Sequence, residues 1–109
     1  IVSILSFGFS TQMNTSLYLF MKKVQTLSIT AQEKAYVEHQ RIDMSVDSKI
    51  NVGDIEYYIP KDIVCDPVSF YYNSKGNISK ALTLRCQNAN SKMKLVYQLG
   101  TGRVRLEKE

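Results

Sequence analysis

The chain has no tryptophan, one histidine, two cysteines and two prolines among its 109 residues. Each shortage excludes something. His39 stands alone, and a general base needs a nucleophile and an orienting group beside it. Nothing in the sequence supplies either, so catalysis through His39 is not expected. Cys65 and Cys86 lie far apart, with no CxxC pair and no His cluster, which argues against a zinc site. No phosphate-binding loop, dinucleotide fingerprint or nucleophile elbow occurs. The carboxylates Asp43, Asp47, Asp54, Glu56, Asp62 and Asp66 are scattered. Asp43 and Asp47 share a strand face with Ser45 but lack the spacing of a calcium loop. These absences point away from an enzyme and imply no metal and no cofactor.

Long apolar runs are also missing. Ile1 to Phe9 is apolar apart from Ser3, Ser6 and Gly8, yet a bilayer span needs about 20 such residues. The chain does not begin with Met and reads as a processed or trimmed product. The apolar start then reads as the remainder of a membrane span whose first half is absent. The plainer alternative is a domain that opens on a buried core segment.

What is present is an ordinary folding composition, 44% hydrophobic and 22% charged, with seven Tyr and four Phe. That suits one domain and excludes a disordered chain. The net charge of +4 is mildly basic. It falls short of a dedicated nucleic-acid binder with clustered charge. In an extracytoplasmic protein Cys65 and Cys86 pair as one disulfide; as buried free thiols they serve as small core residues. Both readings stand.

Both prolines lie beyond residue 59, so nothing interrupts a helix over residues 1 to about 38. Within it Met13, Leu17, Phe20, Val24, Leu27 and Ala31 recur at steps of four and three, which puts them on one face. A helix that is apolar all round at one end and one-sided at the other is expected to sit half in a membrane and half on a domain. Gly8 permits a close helix approach or a local kink, and plain tolerance of a glycine near the lipid interface is the equal alternative.

Arg41 to Asp47 then alternates strictly, with Ile42, Met44 and Val46 on one face, as a half-buried strand does. Asp47-Ser48-Lys49 turns the chain. Ile55 to Ile59 reads as a second strand, closed by Pro60, and Lys61 to Pro67 as a connector. Val68 to Tyr72, Ala81 to Gln87, Met93 to Leu99 and Arg103 to Leu106 follow, separated by turns at 73–77, 88–91 and 100–102. A two-residue turn at Gly100 and Thr101 would set Tyr97 against Val104, Leu95 against Leu106 and Lys94 opposite Glu107. The expected class is α+β: one long N-terminal helix packed through its stripe on a small antiparallel β-sheet.

A helix of this kind followed by a small antiparallel sheet resembles the type IV pilins and pseudopilins. Val68-Ser69-Phe70, Gly76, Leu82-Thr83-Leu84, Lys94-Leu95-Val96-Tyr97 and Gly102-Arg103-Val104 resemble, in order and spacing, the end of the H-type pseudopilins. Tyr58-Ile59-Pro60-Lys61-Asp62-Ile63 and the ending from Tyr97 to Arg105 are similar to the competence minor pilins of Gram-positive bacteria. The resemblance covers most of the chain, although the peptidase site that marks the family would precede Ile1.

It implies a type IV pilin-like fold. Residues 1–12 become the end of a membrane-embedded or filament-core helix, and 13–109 a single globular pilin domain. It implies a minor pilin or pseudopilin that helps initiate or cap a filament capturing external DNA for transformation, or a pseudopilin of a secretion system. Its partners would be other minor and major pilins, a prepilin peptidase and an assembly platform, with membrane contact before assembly. The location implied is the cytoplasmic membrane through one N-terminal helix, with an extracytoplasmic domain, and then a cell-surface pilus. Ile1, Val2, Ile4, Leu5, Phe7 and Phe9 are the expected subunit contacts.

The last strands raise a DNA-binding reading. Lys92, Lys94, Arg103 and Arg105 form a candidate basic strip, and Tyr71 a platform on which a base could stack. The competing reading is that Glu107 and Glu109 neutralise the strip and that a charged edge only prevents aggregation.

Overall fold

A computed structural model describes residues 2–99 and 103–109, with side chains from Ser16 onward. Helix α1 runs Val2–Glu38. It stops at a local signal. His39 takes a left-handed φ of 53°, and the Gln40 amide donates to the Ala35 carbonyl at 3.1 Å. This is the six-to-one closure of a Schellman cap, usually built on glycine. The only histidine thus sits where the helix ends.

Among the described residues eight strands follow: β1 Ile42–Val46, β2 Lys49–Val52, β3 Ile55–Tyr58, β4 Val64–Cys65, β5 Val68–Tyr72, β6 Leu82–Gln87, β7 Lys92–Tyr97 and β8 Val104–Lys108. They form two four-stranded sheets, in the orders β3-β2-β1-β5 and β4-β6-β7-β8. Every pairing is antiparallel. The architecture is therefore α+β, a single N-terminal helix on two antiparallel sheets. The single sheet expected from sequence divides in two. Two short strands, β2 and β4, lie partly in segments that read as a turn and a connector.

The helix packs through Leu17, Phe20, Met21, Val24, Ser28, Ala31 and Ala35, all buried. Leu27 is partly buried against the same core. Met44, Val46, Ile50, Phe70 and Tyr72 meet it from the first sheet, and Leu84, Cys86, Leu95 and Tyr97 from the second. Phe70 and Tyr97 join the sheets, their ring centres 4.9 Å apart. Truncating a fully buried Leu such as Leu17 or Leu95 to Ala removes about 2–5 kcal/mol, from lost transfer energy and the cavity left behind.

One expectation is overturned. Among the described residues no helix is long and apolar enough to cross a membrane. The reason lies in α1 itself: Ser10, Thr11, Gln12, Asn14, Thr15 and Ser16 follow directly on Phe9, and Lys22 and Lys23 come soon after. The single-pass anchor, and the membrane and cell-surface location that rested on it, are corrected accordingly.

Candidate functional site

Alternation along β6, β7 and β8 turns Leu84, Cys86, Met93, Leu95 and Tyr97 into the core. The same alternation turns the intervening residues outward. The register sets Arg85 beside Lys94 and Lys94 beside Glu107, with Val96 beside Arg105. Lys92, Lys94 and Arg105 therefore share the outer face of the second sheet, and Arg103 precedes β8 on the same parity. Arg85 joins them from β6. The sequence reading missed it, although Leu84 and Cys86 pointing inward already require Arg85 to point out.

Carboxylates interrupt the strip. Glu107 lies 3.3 Å from Arg105 and 3.9 Å from Lys94, and Glu109 lies 2.8 Å from Arg85. Among the described residues Lys92 and Arg103 form no ion pair. The face carries five cations and two carboxylates, so positive charge remains in excess. Pairs this exposed contribute only about 0–1 kcal/mol each and are weakened by salt. Tyr71 is not an open platform: the Arg41 guanidinium sits 3.6 Å above its ring centre and bonds Asp43 at 3.0 Å.

A second surface lies on α1. Across the helix from its buried stripe, Leu19 and Val37 are 60% and 71% exposed, while Tyr18, Ile29 and Tyr36 are exposed along one flank of it. Of the expected subunit contacts, Ile1 lies outside the described residues. So do the side chains of Val2, Ile4, Leu5, Phe7 and Phe9, and that of Met13 from the expected core stripe.

Between helix and sheets runs a row of polar ties. Gln25 Nε2 donates to the Val104 carbonyl at 2.7 Å, Ser28 meets Tyr97 at 2.7 Å, and Gln32 Nε2 donates to the Gly76 carbonyl at 2.8 Å. These residues follow the helix period, so each turn contributes one tie. Gly76 has φ +80°, and a Cβ there would stand 3.1 Å from Tyr36 Cβ.

Cys65 and Cys86 are joined as a disulfide. They are directly opposed on β4 and β6, so the bond pins the two-residue strand β4 to the second sheet. Among the described residues no three His, Cys, Asp or Glu side chains gather as a metal site requires.

No protein-family model matches the chain, and neither a curated protein nor a solved structure matches it significantly.

Proposed function

We propose that the chain is a structural subunit of a pilin-like filament, in the role of a competence minor pilin that helps initiate or cap it. The observation that carries this reading is the two-sided use of α1. One side is buried on the sheets, and the rest of the helix surface presents Leu19 and Val37 on the opposite side and Tyr18, Ile29 and Tyr36 along one flank to solvent. Large apolar groups on a helix already packed on its own domain suit a surface that closes against neighbouring subunits. The resemblance in the strand and turn segments supports the same assignment, with other pilin-like chains and an assembly platform as partners.

The test is a clean deletion complemented with the gene, scoring filaments and DNA transformation in the same cells. Loss of both, restored together, is the expected result. Complementation with Leu19→Glu and Val37→Glu, which change exposed positions, should fail to restore filaments. No effect of the deletion on either trait would overturn the proposal. Gene neighbours separate this role from that of a secretion pseudopilin.

The cation excess on the outer face of the second sheet favours a second reading, in which the same subunit contacts DNA directly. Filaments that persist while transformation fails would favour it.

A further inference from the structure

The first sheet ends in an edge that the rest of the described residues leave open. The other free edges are closed or guarded. Along β5, the Ser79 amide donates to the Tyr71 carbonyl at 2.8 Å, and Tyr72 bridges to Ile78. β4 has only two residues. β8 carries Arg105, Glu107 and Lys108, the charges that keep edge strands from pairing. β3 reads Ile55-Glu56-Tyr57-Tyr58, with no bulge, Pro or Lys, and Ile55 and Tyr58 are 52% and 84% exposed.

The direction of its backbone groups follows from its neighbours. The Gly53 amide donates to the Asp43 carbonyl and the Asp47 amide to the Lys49 carbonyl, so Lys49, Asn51 and Gly53 point their polar groups at β1. Alternation then aims Ile50 and Val52 at β3. Their partners there are Tyr57 and Ile55. The N–H and C=O groups of Glu56 and Tyr58 are left pointing away from the sheet.

We propose that β3 pairs antiparallel with β3 of a second copy of this chain, across a two-fold axis at Tyr57. This register sets Glu56 opposite Tyr58 of the second copy, and the reverse. Each is then a hydrogen-bonded pair exchanging two N–H···O bonds, which uses every outward group of the two residues. Slipping the register by one step on each chain would set Glu56 against Glu56, a like-charge pair that disfavours it.

Side chains agree on both faces. On the inner face Tyr57 meets its own copy, and the exposed Ile55 meets Ile59, so the row Ile50–Tyr57 continues the apolar core across the seam. On the outer face Lys49 lies 3.8 Å from Glu56 and 5.9 Å from the Tyr58 ring centre. The pairing brings Glu56 of one copy beside the Tyr58 and Lys49 of the other, which complements its charge. The proposal is independent of the filament reading, since it places one symmetric contact at the sheet edge and none on the helix.

Sedimentation of the 109-residue chain over a wide concentration range, with three variants, tests it. The wild type should show a concentration-dependent dimer. Glu56→Pro removes an outward amide and leaves the bonds to β2 in place, as edge positions allow. With two symmetry-related bonds lost, it should raise the dimer dissociation constant about tenfold with an unchanged circular dichroism spectrum. Ile55→Lys, at a half-exposed position, should do the same if the proline variant folds poorly. Tyr57→Cys should form a covalent dimer on mild oxidation, because the two-fold places both sulfurs face to face. A wild type that stays monomeric throughout, or a dimer indifferent to Glu56→Pro and Ile55→Lys, would overturn the pairing. So would a Tyr57→Cys chain that does not cross-link, including the case in which a different extended chain occupies the edge.

Discussion

Ser28 Oγ and Tyr97 OH lie 2.7 Å apart in the core and tie the helix to the second sheet. Ser28 also bonds the Val24 carbonyl at 2.9 Å, so its own hydroxyl proton is directed along the helix and Tyr97 donates to it. Ser28→Ala leaves the Tyr97 hydroxyl buried without an acceptor. The expected loss is about 1–3 kcal/mol, the cost of an unmet buried polar group. Removing both partners, as Ser28→Ala with Tyr97→Phe, should cost less than the sum of the two single changes. Urea denaturation of the four proteins measures the coupling.

Tyr72 contrasts with Tyr97. Its hydroxyl is buried with no hydrogen-bond partner among the described residues, so Tyr72→Phe removes an unmet group and little else. It should leave stability unchanged or raise it by up to about 1 kcal/mol, where Tyr97→Phe lowers it.

Both tyrosines make the fold sensitive to alkali. Burial pushes the Tyr97 phenol up to about 12, with the Ser28 bond pulling weakly the other way. Burial, with a smaller contribution from Tyr97, raises Tyr72 further. A raised folded pKa means that the native state keeps its proton while the unfolded chain loses it. Stability from these groups is therefore complete below pH 10, the unfolded value, and falls as pH climbs from 10 towards 12. The slope approaches about 1.4 kcal/mol per pH unit for each tyrosine. Chemical denaturation at stepped pH should show that decline, and Tyr72→Phe should make it shallower.

The Cys65–Cys86 bond closes a loop of sequence separation 21. In the chain-entropy account a loop of that size is stabilised by about 3 kcal/mol. Reduction should lower the unfolding midpoint by a corresponding amount and release β4 first, since two residues provide little pairing of their own. Hydrogen exchange with and without reductant would show protection lost at Asp66, whose amide donates to the Arg85 carbonyl, and at Val64 on the same parity, before β6 and β7.

The long helix was readable because its apolar residues keep a helical period and no Pro interrupts them, and β1, β5, β6 and β7 because Ile42, Met44 and Val46, or Leu82, Leu84 and Cys86, alternate cleanly. The division into two sheets was not readable. It depends on β2 and β4, and Lys49-Ile50-Asn51-Val52 and Val64-Cys65 are too short for periodicity to mark them. The polar ties were hidden for another reason: Gln25, Ser28 and Gln32 look like solvent residues until the partners Val104, Tyr97 and Gly76 arrive from far along the chain. The charge strip was legible in Lys92, Lys94, Arg103 and Arg105. So was the facing of Lys94 and Glu107, because the β7–β8 turn fixes that register; the reach of Glu109 to Arg85 was not, since it depends on how β6 sits beside β7.

Gly76 offers a test of how closely the loop approaches the helix. Its φ of +80° disfavours any side chain, and a Cβ would press on Tyr36. Gly76→Ala should cost about 1–3 kcal/mol from backbone strain and contact together. The close atom is Tyr36 Cβ, which only Tyr36→Gly removes, so Gly76→Ala should cost less in a Tyr36→Gly background by the contact share and retain the backbone share, which thermal melts of the two single variants and the double variant would separate.

Glu107 decides how much of the basic face is available to an anionic polymer. It is the shared partner of Lys94 and Arg105, and both pairs are exposed enough that Glu107→Gln should alter stability by less than about 1 kcal/mol. The same change frees two cations. If DNA docks on this face, binding should tighten, and the dependence of log K on log salt should steepen by about 1–2, since each newly engaged phosphate adds about 0.9. Arg103→Glu, at a cation with no carboxylate partner among the described residues, should weaken binding and flatten the slope. The two variants therefore move the salt dependence in opposite directions. A DNA-binding chain whose slope ignores both would have its contact elsewhere, and the charges on this face would then be left with the role of guarding the β8 edge.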